Sequence, residues 1–257
     1  MFYQVVEYIK FLLKSTNQHG VHSPFVFNLV TKCFYDTTYY GAYSKLSDYK
    51  KDLLKNNTKV KVTDLGVGSH ATKQQHRSIS EIAKNAGTSN ARAKLLYKLS
   101  IYFKFENILE LGTSLGIATH ALSLGNPQAK ITSIEGCPKI SSFTRANFGK
   151  HHLNNINLIT GDFNDALKDL SPQTFDLIFF DGNHQKEATI HYFESLLSTV
   201  HNDTLFIFDD IHWSQSMTEA WEIIKQHPRV TVTIDTFFWG FVFFRKEQLK
   251  EHFVIRL

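Results

Sequence analysis

Residues 107–136, NILELGTSLGIATHALSLGNPQAKITSIEG, constrain the fold more than any other part of the chain. A short apolar run ends at Glu110, Gly112 and Gly116 bracket a tight turn, and residues 117–124 carry apolar side chains at helical spacing. A second apolar run, 130–134, ends in Glu135. Strand, glycine turn, helix, strand and terminal acid make up the half of an α/β sheet that holds an adenosine-bearing cofactor. Glycine suits the turn because a side chain would keep the backbone away from a ligand. Glu135 can accept both hydroxyls of a ribose, and a hydrogen bond to a charged acceptor is worth about 1.5 to 3 kcal/mol.

The alternation continues downstream. Residues 138–150 read as a helix and 156–160 as a strand, after which Gly161-Asp162-Phe163 opens a helix reaching Leu170. A fourth strand, 175–180, ends in Asp181-Gly182-Asn183-His184, and a fifth, 204–208, ends in Asp209-Asp210-Ile211-His212. Helices at 186–199 and 215–226 follow these, and strands at 230–235 and 240–245 close the sheet. The expected fold is α/β: a Rossmann-like, doubly wound, seven-stranded and mostly parallel sheet. Three carboxylates at the carboxyl ends of its strands, Asp181, Asp209 and Asp210, converge on the crevice where such sheets bind ligands. Gathering them is costly without a cation among them, and Mg²⁺ suits oxygen donors while keeping waters for a substrate to displace.

The turn E-L-G-T-S-L-G departs from the dinucleotide pattern G-x-G-x-x-G, in which closely spaced glycines admit a pyrophosphate; a nicotinamide cofactor is the alternative that pattern would favour. With its strand-end carboxylate and glycines three residues apart, the turn resembles motif I of the class I S-adenosylmethionine (SAM) methyltransferases, and Glu135 matches their acidic residue after the second strand. The resemblance implies SAM as cofactor, with contacts from Glu110, Gly112, Thr113, Ser114, Gly116, Glu135 and Gly136. It also implies that Asp162 reaches the adenine amino group and Phe163 covers the ring, although Asp162 equally reads as a helix cap. The strand-end acids are similar to those of the divalent-metal O-methyltransferases of the catechol and caffeoyl-coenzyme A type. Asp181 matches their fourth-strand aspartate, with a place beside the cofactor, and Asp209-Asp210 stands where they carry Asp-Asn. D-G-N-H also resembles the D-G-D-H of a broader methyltransferase family. Where the catechol enzymes have a lysine that takes the substrate proton, this chain has His184, and His212 is its rival as a base near neutral pH.

The resemblance covers residues 86–257, beginning at Ala86-Gly87-Thr88-Ser89, where these enzymes wrap a loop and helix over the cofactor. It implies methyl transfer to the oxygen of a small hydroxylated, possibly aromatic acceptor. Two other readings stay open: methylation of a hydroxylated RNA base, and a non-catalytic SAM-binding or partner-binding protein. The RNA reading rests on charge. Residues 1–104 hold 16 Lys and Arg against 6 Asp and Glu, whereas the remainder holds 12 against 18. The lysines are scattered over apparent helices rather than gathered in a run, as solvated faces would have them.

Residues 1–105 read as an N-terminal helical cap and 106–257 as the SAM-binding domain. Ser23-Pro24 starts one helix, and others are expected at 44–56, 79–86 and 90–103. MFYQVVEYIKFLLK has the look of an amphipathic helix packed on the body, since Glu7 and Lys10 interrupt it and no cleavage site follows. The Asp64-Gly66-Gly68 segment imitates a cofactor turn but lacks a following strand with a terminal acid, which leaves a pocket-lining loop as its functional alternative. Two distant cysteines, Cys33 and Cys137, give neither a disulfide framework nor zinc spacing and suit a reducing cytoplasm. No apolar run approaches membrane-spanning length. Trp213, Phe237, Phe238 and Trp239 could stack on a planar acceptor, pack in the core, or form the subunit interface of a homodimer.

Overall fold

The computed structural model describes residues 2–63, 76–170 and 173–257; the Asp64–Gly68 segment lies outside them. In chain order the elements are α1 (Phe2–Lys14), α2 (Pro24–Leu29), α3 (Ala42–Lys55), β1 (Lys59–Lys61), β2 (His76–Ser78), α4 (Ile79–Asn85) and α5 (Asn90–Phe103). There follow β3 (Asn107–Leu111), α6 (Ile117–Gly125), β4 (Lys130–Glu135), α7 (Pro138–Lys150), β5 (Ile156–Thr160) and α8 (Phe163–Lys168). The last are β6 (Leu177–Phe180), α9 (Lys186–Leu196), β7 (Leu205–Asp209), α10 (Gln215–Gln226), β8 (Val232–Asp235), β9 (Trp239–Phe243) and β10 (Glu251–Val254). This is the mixed α/β, Rossmann-like order expected.

Serine fixes many of the helix starts by offering its hydroxyl to an amide that the helix leaves unpaired. Ser23 receives Val26 N ahead of Pro24, Ser89 receives Arg92 N, and Ser214 receives Met217 N. Ser78 goes further, because Glu81 reaches back to the Ser78 amide and completes a capping box. β6 and β7, LIFF and LFIFD, are buried at every position, as unbroken apolar runs in parallel strands should be.

The chain divides into two compact units, Thr37–Ser171 and Met1–Asp36 with Pro172–Leu257. In the first, β3 pairs with β4 and β4 with β5, all parallel, and β1 and β2 form a separate antiparallel hairpin. In the second, the strand order is β10-β8-β9-β7-β6, with β9 antiparallel to both neighbours and the outer pairs parallel. Eight strands therefore stand where seven were expected. The added one is β10, whose half-exposed EHFV lacks the apolar alternation that announces a strand. The first 105 residues also hold the β1–β2 hairpin among their helices.

The second unit is tied together by the two ends of the described chain. Thr16 N donates to Val254 O and Arg256 N donates to Thr16 O, while Tyr35 Oη donates to the carbonyl of Arg256. α1 is a helix as read, but its packing differs from expectation: Phe11 is its one buried side chain among the described residues, and most of its apolar residues face outward. No helix among the described residues is long and apolar enough to cross a membrane.

Candidate functional site

The residues expected to contact a cofactor, Asp181 apart, lie in the unit Thr37–Ser171. At the end of β3 the chain turns through Gly112 (φ 107°), Ser114 (φ 48°) and Gly116 (φ 74°), all in the left-handed region. The amides of Gly112 and Thr113 both donate to Ile134 O, which pins the turn to β4. Gly116 also answers to packing. A Cβ there would collide with Cε1 of Phe148 on α7, so the glycine makes room for that aromatic ring.

Glu135 ends β4, and both of its carboxylate oxygens are engaged by backbone: Ser114 N donates to Oε2 and Cys137 N to Oε1, each at 2.8 Å. These bonds hold the strained Ser114 and the carboxylate in one fixed arrangement. Gly161 N donates to Glu135 O, which brings the start of α8 to the same strand end. Asp162 there caps α8, accepting from Asn164 N at 2.8 Å, and Phe163 is the first helical residue. Gly136 lies between Glu135 and Cys137 in this turn.

Glu110 is fully buried. Thr119 Oγ1 and Ser133 Oγ each donate to its Oε2 at 2.5 Å, and Thr113 Oγ1 lies 2.5 Å from Ser133 Oγ. Its Oε1 is buried with no hydrogen-bond partner among the described residues. Burial pushes the Glu110 pKa up to about 7; the Ser133 and Thr119 hydroxyls oppose the rise and the Glu135 charge adds to it. Beneath the turn, Tyr49 Oη donates to Leu115 O at 2.8 Å, and Lys50 Nζ donates to Thr88 O in the Ala86-Gly87-Thr88-Ser89 loop. The bare backbone of the turn, the buried acceptor on Glu110 and the fixed carboxylate of Glu135 suit an adenosine-bearing cofactor that also carries an amino group.

The acids of the fourth and fifth parallel strands belong to the other unit. Asp181 follows β6 and is half-buried, and Asn183 next to it is left-handed (φ 49°). Asn183 Nδ2 donates to Tyr192 Oη at 3.2 Å, and Gln185 N donates to Asn183 O. This turn carries the half-buried His184, for which no hydrogen bond is found among the described residues. Asp209 ends β7 nearly buried, and Asp210 after it is left-handed (φ 55°). His212 is held on all sides: Nε2 lies 2.8 Å from Asp235 Oδ2, Nδ1 lies 3.1 Å from Thr218 Oγ1, and its ring stacks on Phe237 at 5.4 Å. Asp235 in turn accepts the amide of Phe237, another left-handed residue (φ 73°), whose ring meets Tyr8 and Phe11 of α1.

The expected Mg²⁺ ligands, Asp181, Asp209 and Asp210, do not meet the requirement of a metal centre. Among the described residues no three His, Cys, Asp or Glu side chains gather in an arrangement that could hold a metal ion. Each aspartate ends a different strand or enters a strained turn, and a shared strand end does not by itself converge their oxygens.

Sequence reasoning missed the groups that support the site. Asp235 was visible as the acid ending β8, but its bond to His212 spans 23 residues and has no local signature. Tyr49, Thr119, Ser133 and Phe148 come from helices and strands whose pattern marks them as core.

Residues 109–211 match a protein-family profile described as a methyltransferase domain. Comparison with curated proteins finds no match. Among solved structures, the methyltransferase PaMTH1 of Podospora anserina, bound to S-adenosylhomocysteine (SAH), is similar at a TM-score of 0.60 and 16% identity, over 88% of this chain and 97% of that one. An O-methyltransferase of Bacillus cereus in complex with SAH has a TM-score of 0.54 and 19% identity, over 82% and 93%. TomG of Streptomyces achromogenes, an O-methyltransferase of tomaymycin synthesis solved with SAM, has a TM-score of 0.55 and 16% identity, over 83% and 92%. The motif-I turn after β3 lies inside the matched segment: residues 109–211 are similar to a methyltransferase domain, and the chain has the fold of these solved structures.

Proposed function

We propose that the chain transfers a methyl group from SAM to a hydroxyl oxygen of a small, hydroxylated and aromatic acceptor. The observation that carries this reading is the Glu135 carboxylate, fixed by two backbone amides beside a glycine turn, at the strand end where a carboxylate can accept ribose hydroxyls. Glu110 Oε1, buried with no partner among the described residues, supports a further contact to the amino group of the methionine part. Asp162 and Phe163 supply a polar edge and a ring for adenine, and Thr113 and Ser114 complete the contacts of this unit.

When bound, SAM supplies an electrophilic methyl whose bond to sulfur breaks, leaving its electron pair on a neutral thioether as the new O–CH₃ bond forms. The chain's own part is to orient, to exclude water and to take the hydroxyl proton. Holding reactants in line can remove roughly 7 to 11 kcal/mol of the barrier. His184 is assigned as the proton acceptor, because both nitrogens of His212 are engaged by Asp235 and Thr218. His212 instead stacks on Phe237, and with Trp213 this supplies aromatic surface for a planar acceptor. No step is routed through a metal ion.

The test is a calorimetric titration of SAM into the full chain, with and without Mg²⁺, repeated on Glu135→Ala. The expected result is micromolar binding without metal and a loss of about 10- to 150-fold in the variant for one lost hydrogen bond to a charged acceptor, and more for two. Absence of SAM binding by the wild type would overturn the reading.

A further inference from the structure

α1 is built inside out. At 100° per residue, Phe2, Val5, Tyr8, Ile9, Leu12 and Leu13 fall on one arc of about 140°. Phe2 is 84% exposed and Leu13 83%, and the other four lie between 37% and 53%. Much of the opposite side, which should face water, is covered, Lys14 in the last turn being exposed: Gln4 is half-buried, Phe11 is buried, and the Glu7 side chain is 13% exposed while it pairs with Lys10 at 2.6 Å. The apolar surface also continues beyond the helix. Tyr8 meets Phe237 at 4.8 Å, and Phe237 meets Phe238, itself 49% exposed, at 5.0 Å.

These seven exposures equal about four fully exposed large side chains, on the order of 800 Å² at roughly 200 Å² each. The largest apolar patch on a monomer is usually about 300 to 600 Å². A stable dimer interface buries about 800 Å² on each partner. We infer that the outward face of α1, with Phe238, is a self-association surface that a second copy of this chain covers by the same face. Area and self-complementarity favour a second copy over a bilayer. A helix lying on lipid needs a strongly basic polar side, whereas on α1 Glu7 neutralises Lys10 and Lys14 is the remaining cation. The pairing also bears on chemistry, because Tyr8 and Phe11 clamp the Phe237 ring that stacks on His212.

The experiment is sedimentation velocity of the full chain from nanomolar to high micromolar concentration, on the wild type, Ile9→Glu and Leu13→Glu. Both sites are exposed, so a charge there leaves the fold intact, which circular dichroism checks. The wild type should reach twice the 29.6 kDa of one chain. Each variant should weaken the dimer about 100-fold or more, since its partner must bury an unpaired charge. A wild type that stays at 29.6 kDa throughout, or variants that dimerise as tightly as it does, would overturn the proposal. So would a monomeric wild type that sediments with phosphatidylglycerol–phosphatidylethanolamine vesicles, which would make lipid the occupant.

Discussion

Replacing Glu110 by Gln should make the protein more stable above neutral pH and leave it nearly unchanged in mild acid. The carboxyl is fully buried, and burial lifts its pKa from an ordinary 4.5 to about 7. The folded state therefore binds this proton more tightly than the unfolded chain does. The resulting stability is complete below pH 4.5 and is lost as pH rises through about 7. At 1.36 kcal/mol per pH unit the gap amounts to about 3 kcal/mol. Gln has the same size, keeps an oxygen to accept Thr119 and Ser133, and cannot ionise. Its nitrogen would meet the same unpaired surroundings as the protonated Oε1, so the neutral forms are a fair comparison. Urea unfolding of both proteins at about pH 5 and about pH 8 should show near-equal stability at the lower value and a Gln variant about 3 kcal/mol ahead at the higher. A difference between the two proteins that stays constant over this range would refute the burial argument. The stabilised variant should bind SAM more weakly, because the charged acceptor is gone.

His120 should act with the opposite sign. Burial, then the charges of His151 and Lys45, lower its pKa from 6.5 to about 4, so its contribution is full above 6.5 and is lost as pH falls through about 4. His120→Gln should remove about 3 kcal/mol of that acid dependence in the same urea assay. Gly116→Ala combines a left-handed penalty of about 1 to 2 kcal/mol with an overpacking cost of about 1 to 3 against Phe148, and a Phe148→Leu background should relieve the second part in thermal melts. Once an acceptor is found, His184→Gln should lower kcat by about 100- to 10,000-fold with SAM affinity intact. His212→Gln should instead lower the melting temperature.

The order of strands and helices was legible because most are long, periodic and capped by their own neighbours. α5, α7, β5 and α10 run over the residues expected from periodicity and capping. β10 was not legible, since pairing with β8 rather than its own pattern makes EHFV a strand. The acid at the end of β4 was readable from position alone. The fact that Ser114 and Cys137 amides hold it was not, because backbone donors leave no trace in residue type. The same limit hid the engagement of His212: a histidine after a strand reads as a free base until a distant aspartate and threonine are brought to its two nitrogens. In α1 the apolar periodicity gave the helix correctly, yet periodicity cannot say which side of a helix the body occupies.

The exchange of hydrogen bonds between Thr16 and the Val254–Arg256 segment has a consequence for synthesis. The residues of the unit Thr37–Ser171 are contiguous and can begin to fold as soon as the ribosome releases them. The first 36 residues must wait for the last strand to emerge before their backbone finds its partners. Until then the apolar arc of α1, together with an unfinished sheet edge, is open to any nascent neighbour. A circular permutant that begins inside the helical region after Asp36 and joins the old termini would make this long-range closure local, and it should refold faster at unchanged final stability.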